Sequence, residues 1–369
     1  MRHPGFPYMT WAKANYWGCS LSLVPSGMAH PSRELLDLPA DIEPSAEIPS
    51  EGPDSLQEDL AEAYGANLEQ LLVLQGSTQA DLLVFTSFLH AGERVLIESP
   101  AYGLFEGLAA TRGAQVDRFQ RRHEQDWALD IEAVRKAWQP GTRLVVLTTV
   151  QNPTGSVASE EQLRALGELC EERNALALCS EVYLDFLPRA GEPGGRAFAW
   201  QLHPRLLSVN SFTKVYGLGS LRLGWLCGAP EWLEEARRVR EAIAPVLPAL
   251  PCHLAREALR KKTLLLERAR TRAAEGQAVL NSWLHRDFPG KAPEAGLVTA
   301  LRVGGVQRTM DFAKFLRDDF DLGVVPGDFF GLPGHLRIGV GGEAEATGKA
   351  LEALSRGREA WIAEQGQDA

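Results

Sequence analysis

Lys214 stands in the stretch Ser211-Phe212-Thr213-Lys214-Val215-Tyr216-Gly217-Leu218-Gly219-Ser220-Leu221-Arg222, flanked by the apolar runs Arg205 to Asn210 and Leu223 to Gly228. A lysine at a turn between two strands has a plain reading, a solvated surface cation. It also has a chemical one: held out of water near other cations, its amine gives up its proton more easily and becomes a nucleophile toward an aldehyde. Two hydroxyls and an arginine beside it are donors that suit an anionic phosphate. Amine and phosphate donors together point to a phosphorylated aldehyde, pyridoxal phosphate.

The stretch resembles the lysine motif of the class I/II aminotransferases, the fold type I pyridoxal-phosphate enzymes. That resemblance implies a Schiff base at Lys214, a phosphate held by Ser211 and Arg222, and Thr213 lining the same pocket. Matching pieces follow in order along the chain. Gly76-Ser77-Thr78 comes after an apolar run and opens a helical stretch, where free backbone N–H groups and the positive dipole end face an anion. Alone it is an ordinary helix start; with Ser211 and Arg222 it makes a third side of one phosphate cup. Tyr102 follows a strand and Pro100. On its own it is a core or rim aromatic, and the resemblance implies a ring stacked on the cofactor.

Gln151-Asn152-Pro153-Thr154-Gly155 is a turn signal in any protein. It resembles the family's Asn-Pro-x-Gly, which implies that Asn152 hydrogen-bonds the cofactor's 3-oxygen beside the substrate. Arg337, in His335-Leu336-Arg337-Ile338-Gly339, is either an edge residue facing water or, by the resemblance, the bidentate ligand of the substrate carboxylate. Ser26-Gly27-Met28 reads as a plain turn, and the resemblance would put Gly27 near the same carboxylate.

Two positions depart from the family pattern. Where the family reads Asp-Glu-x-Tyr, this chain has Ser180-Glu181-Val182-Tyr183. The resemblance implies that Tyr183 donates to the cofactor's 3-oxygen, but the aspartate that pairs with the pyridine nitrogen is replaced by Ser180. A hydroxyl supplies no negative charge, so a weaker electron sink is expected. Glu181 is a poor substitute, since neighbouring side chains in a strand point to opposite faces. Upstream, Ile48-Pro49-Ser50 occupies the place of a tyrosine that reaches the neighbouring subunit's phosphate.

The elements that position these residues alternate. Helical spacing runs from Leu56 to a glycine stop at Gly65, and apolar strands at Gln70 to Gln75, Arg94 to Ile97, Ala114 to Phe119, Arg143 to Val150 and Ala175 to Cys179 are separated by amphipathic helices. Such alternation implies an α/β fold, a mostly parallel sheet covered by helices, with ligands at the carboxyl ends of the strands. Three units are expected: an irregular arm over 1–45, a large pyridoxal-phosphate-binding domain over 46–285 with a long charged helix from His253 to about Leu284, and a smaller C-terminal α/β domain over 286–369.

With 369 residues, 45% of them hydrophobic, the chain has ample material for a core, and its net charge of −10 argues against nucleic acid or an anionic membrane as partner. Arg118, Arg121 and Arg122 read as a solvated cluster. Five cysteines without a C-x-x-C fit reduced thiols and no metal site. The amino terminus has no apolar run of signal-peptide length, and a cytoplasmic protein is expected.

The expected activity is transfer of an amino group between an amino acid and a 2-keto acid, with Lys214 as proton carrier, in a homodimer of the kind the family forms. Ser180 favours an alternative on the same scaffold, a β-lyase or a cyclising, amino-acid-modifying enzyme. A non-catalytic ligand sensor is the third possibility.

Overall fold

The strands set the frame: β1 Leu21–Ser22, β2 Leu71–Leu74, β3 Arg94–Ser99, β4 Gln115–Gln120, β5 Thr142–Thr148, β6 Leu176–Ser180, β7 Leu206–Ser211, β8 Gly224–Cys227, β9 Val298–Arg302, β10 Leu322–Gly323, β11 Val325–Pro326 and β12 His335–Gly339. The computed structural model describes residues 3, 5–36, 51–52, 54–188, 190–192, 195–284 and 287–367. Seven strands form one sheet in the order β2-β8-β7-β6-β5-β3-β4. Only β8 in it runs antiparallel, to both β2 and β7.

β2, β6, β7 and β8 are buried at every residue, as their largely apolar sequences require of a sheet covered on both faces. On one face Leu178, Leu207 and Val209 pack with Ala80, Leu83 and Val84 of the Ser77–Phe88 helix. On the other, Ala177, Cys179 and Leu206 pack with Leu163, Leu166 and Leu169 of the Glu160–Glu172 helix. The helix boundaries follow local chemistry. Ser55 caps Leu56–Tyr64 by accepting from the Glu58 N–H, and Gly65 ends it at φ 64°. Ser159 and Gln162 form a reciprocal capping box at the next crossover.

A three-stranded antiparallel sheet, β11-β12-β9, lies downstream, and β1 pairs in parallel with β10. The boundary positions 45/46 and 285/286 fall wholly or partly outside the described residues, as does Ile48-Pro49-Ser50. Among the described residues no helix is long and apolar enough to cross a membrane.

Three sequence expectations are corrected. The arm is not irregular throughout: Pro7–Asn15 is a helix with proline in its first turn, where the missing N–H costs nothing. The long charged helix is two, Ala249–Arg260 and Lys262–Trp283, interrupted at Lys261. Arg121 is not solvated; its Nε lies 3.0 Å from Glu98 Oε2 with both side chains fully buried, because the chain folds back beneath the end of β3 after β4.

Candidate active site

The lysine turn is fixed from both sides. β7 delivers Ser211 and the buried Phe212, whose ring meets Trp225 of β8 edge-on at 5.1 Å. Below it, Asp185 accepts from Tyr64 Oη at 2.8 Å and Tyr216 Oη at 3.1 Å, anchoring the loop two residues beyond Lys214. Gly217 sits at φ 69°, and a Cβ there would lie 2.4 Å from the Ala29 carbonyl, so the arm packs directly on the turn. The Met28 N–H donates to the Lys214 carbonyl at 2.8 Å.

Lys214 Nζ donates to Ser26 Oγ at 2.9 Å and lies 5.8 Å from the centre of the Tyr183 ring. Desolvation pulls the amine down to about 8; Arg337 and Arg222 push the same way, and Tyr8 opposes them. An amine in that range is unprotonated in about a tenth of molecules at pH 7, far more than a lysine at its ordinary value of 10.5. A Cβ on Gly27 would come 3.3 Å from the Thr213 carbonyl oxygen and 3.4 Å from Lys214 Cα, so this glycine lies against the lysine turn.

Gly76 and Arg222 meet at the start of the Ser77–Phe88 helix. Gly76 is at φ 81°, and a Cβ on it would come 3.0 Å from Arg222 Nη2. Arg222 itself takes a left-handed backbone, φ 52° and ψ 42°, a strained choice for a side chain with a Cβ. Ser77 and Thr78 open the helix, which has no acidic residue in its first turn. Ser211 ends β7 beside Gly224 of β8, where a Cβ would lie 2.7 Å from Ser77 N. Gly76, Ser77, Ser211 and Arg222 thus lie around one point, with Thr78 the next residue of the helix.

Asn152 and Tyr183 are buried, and among the described residues Asn152 Oδ1 has no hydrogen-bond partner, while the Tyr183 hydroxyl has only Ser26 close by. Burial pushes the Tyr183 hydroxyl up, with nearby Ser26 and Arg337 opposing. Ser180 ends β6 on the face of Leu178, by strand alternation, whereas Glu181 turns away and accepts the Ala199 N–H at 3.1 Å. The rejection of Glu181 as a substitute thus agrees with its position.

Arg337, 1% exposed, donates from Nη2 to the Val24 carbonyl, while its Nε has no partner and no carboxylate among the described residues pairs with it. Its guanidinium lies 5.9 Å from the Tyr8 ring and 5.8 Å from the Phe330 ring. Tyr102 joins this aromatic wall, with its ring 5.8 Å from Tyr8 and 5.1 Å from Phe6. Burial raises the Tyr102 hydroxyl, and Tyr8, Tyr183 and Asp81 add to the shift.

Sequence reasoning missed Ser26 as the lysine's partner and Tyr8 as the cover of Arg337. Both belong to the arm, and the Ser26 contact spans 188 residues, so no local pattern announces it. The adjacent glycine at position 27 was the one available signal.

Residues 46–354 match the family model for aminotransferase class I and II. Capreomycidine synthase of Streptomyces vinaceus is 25% identical over 370 aligned residues, 95% of this chain and 93% of that protein. Histidinol-phosphate aminotransferase of Symbiobacterium thermophilum is 30% identical over 307, covering 81% of this chain and 79% of its own. Among solved structures, the PLP-dependent cyclase OrfR superposes with a TM-score of 0.85 at 23% identity, over 99% of this chain and 98% of that one, a likeness of fold. With its fold and most of its length matched, this chain belongs to the class I and II aminotransferases, enzymes that work with pyridoxal 5′-phosphate.

Proposed function

We propose that the protein is an aminotransferase that moves an amino group between an amino acid and a 2-keto acid, with Lys214 as the residue that carries the cofactor. The observation that carries this reading is the Lys214 amine, brought to about 8 by burial beside Ser26 and Tyr183 and in the field of Arg222. The surroundings fit pyridoxal phosphate. Gly76, the Ser77 N–H and Arg222 lie together with Ser211 beside Gly224, a setting that suits an anionic phosphate, with Thr78 the next residue of the helix; the Tyr183 hydroxyl, which can donate, and the Asn152 side chain are the candidates for the cofactor's 3-oxygen. Thr213 lines the same turn.

When bound, the cofactor supplies a carbonyl for the substrate amine and a ring that withdraws electrons from the α-carbon. The protein supplies the rest. Arg337 holds the substrate carboxylate through a guanidinium that has no acidic partner of its own. Lys214, once released, takes the α-proton and returns it, a role for which an amine near 8 is matched to neutral pH. Tyr8, Tyr102 and Phe330 cover the Arg337 side and exclude water.

Ser180 favours a second reading on the same residues. With a hydroxyl in place of the family's aspartate, and with similarity to capreomycidine synthase along nearly the whole chain, elimination or ring closure on the substrate side chain is the competing reaction. A panel of amino acids incubated with the cofactor-loaded protein separates the two. Stoichiometric 2-keto acid, with the cofactor converted to its amine form, supports transamination. A cyclised or eliminated product with the cofactor unchanged overturns it. Pairing of two copies is expected from the family habit, and the exposed Ile243, Val246 and Leu250 offer an apolar surface for it.

A further inference from the structure

We propose that Asp81 supplies the negative charge opposite the cofactor's pyridine nitrogen that Ser180 does not carry, delivering it from the Ser77–Phe88 helix instead of from β6. The inference rests on pyridoxal phosphate occupying the Lys214 site as proposed above.

Four carboxylates are buried among the described residues: Asp81, Glu98, Glu181 and Asp185. Three have partners. Glu98 pairs with Arg121 and accepts from Thr148, Glu181 accepts from Ala199, and Asp185 accepts from Tyr64 and Tyr216. Asp81 alone has neither a cation nor a donor: it is 3% exposed, and its Oδ1 is buried with no hydrogen-bond partner. Desolvation with nothing to offset it pushes its carboxyl up to about 8. An aspartate is also a poor residue for a helix interior. A position that costs stability on both counts, and that no other part of the fold satisfies, is expected to serve something absent from the polypeptide.

Its location says what. Asp81 is four residues after Ser77 and three before Val84, so it lies on the helix stripe that runs from the phosphate cup into the core. Ala80 and Val84 on that stripe pack with Leu178 and Val209. Ser180 follows Leu178 by two on the same strand face and pairs in register with Val209. Asp81 and Ser180 therefore approach one layer from the helix side and the sheet side. The charge of Asp81 also reaches Tyr102, the ring expected to stack on the cofactor. A protonated pyridine nitrogen between them gives Asp81 the donor it lacks. With the cofactor bound, the proton held by the buried Asp81 carboxyl would pass to nitrogen, its O–H bond breaking as the N–H bond forms, with no other reactant.

The test uses the full-length protein loaded with pyridoxal phosphate labelled with 15N in the ring, read by 15N NMR at pH 7. The native protein is expected to show the shift of a protonated nitrogen. In Asp81→Asn the signal is expected to move to the unprotonated position with the cofactor still bound, and the cofactor Kd to rise roughly tenfold to a hundredfold, as for one lost charge-assisted hydrogen bond. Adding Ser180→Asp to that variant should restore the protonated shift and the affinity, which shows that the pocket of Asp81→Asn is intact and that only the charge was lost. An unprotonated nitrogen in the native protein, or a protonated one in Asp81→Asn with affinity changed less than about threefold, overturns the proposal. Should Asp81→Asn fail to fold, Ser180→Asp alone decides: an unchanged shift supports Asp81, and a nitrogen that becomes protonated only then refutes it. A native protein that takes up no cofactor at Lys214 would instead sink the functional reading on which this rests.

Discussion

Holding Lys214 as a usable amine should destabilise the cofactor-free protein, and the size of that cost follows from its surroundings. Its ordinary value of 10.5 falls to about 8 in the fold. At about 1.4 kcal/mol per pH unit, the difference amounts to about 3 kcal/mol against folding wherever both states hold the proton. Between about 8 and 10.5 the unfolded chain binds more protons than the folded one, so stability attributable to this residue rises with pH across that window. The penalty is fully present below it and gone above it. Lys214→Met keeps the length of the stem and removes the charge. In urea unfolding of cofactor-free proteins, the variant should exceed the native protein by up to about 3 kcal/mol at pH 7, and the gap should close on approaching pH 10.5. Asp81 and Glu181, also raised to about 8 by burial, are in both proteins and largely cancel in the difference. A gap that stays constant from pH 7 to pH 10, or a variant less stable at every pH, would show that the amine is solvated and the nucleophile argument mistaken.

Other perturbations probe the remaining parts. Arg337→Lys gives up the planar fork and should raise KM for the amino acid by roughly ten- to a hundredfold, with little effect on cofactor absorbance; an unchanged KM in steady-state assays would remove Arg337 from substrate binding. Gly224→Ala drives a methyl group to 2.7 Å from both Asn210 O and Ser77 N, so the cup must shift and titration with pyridoxal phosphate should show weakened binding. Equal affinity would mean that the contact relaxes without consequence. Arg121→Met leaves Glu98 buried without its cation and should cost about 3–5 kcal/mol in urea unfolding, whereas a loss below about 1 kcal/mol would place solvent at that pair. Val246→Asp, on the exposed apolar segment, should shift a dimer toward monomer in light scattering; no change of mass would move the expected interface elsewhere.

What could be read from the chain was what depends on short-range chemistry. Apolar runs fixed the strands, Ser55 and Ser159 marked helix starts, and Gly65 marked a stop. The lysine turn, Asn152 and Tyr183 were nominated by motifs that follow strand ends and Arg337 by one within a strand, and the fold brings Lys214, Tyr183 and Arg337 into one another's reach. Long-range pairings were not legible. Ser26 meets Lys214 because the arm crosses the lysine turn, and Arg121 is buried because Glu98 waits beneath the neighbouring strand end. The Pro7–Asn15 helix was hidden by a proline that reads as a breaker but stands in a first turn, where it starts helices. Asp81 resembled any polar residue on a helix until the sheet covering that face was in place.

The most direct test of the central assignment is to reduce the cofactor-loaded protein with borohydride and locate the resulting covalent adduct by peptide mass spectrometry. One pyridoxyl group on Lys214, absent from Lys214→Ala, is the expected result. An adduct on a different lysine, or none in a protein that has taken up the cofactor, would contradict it.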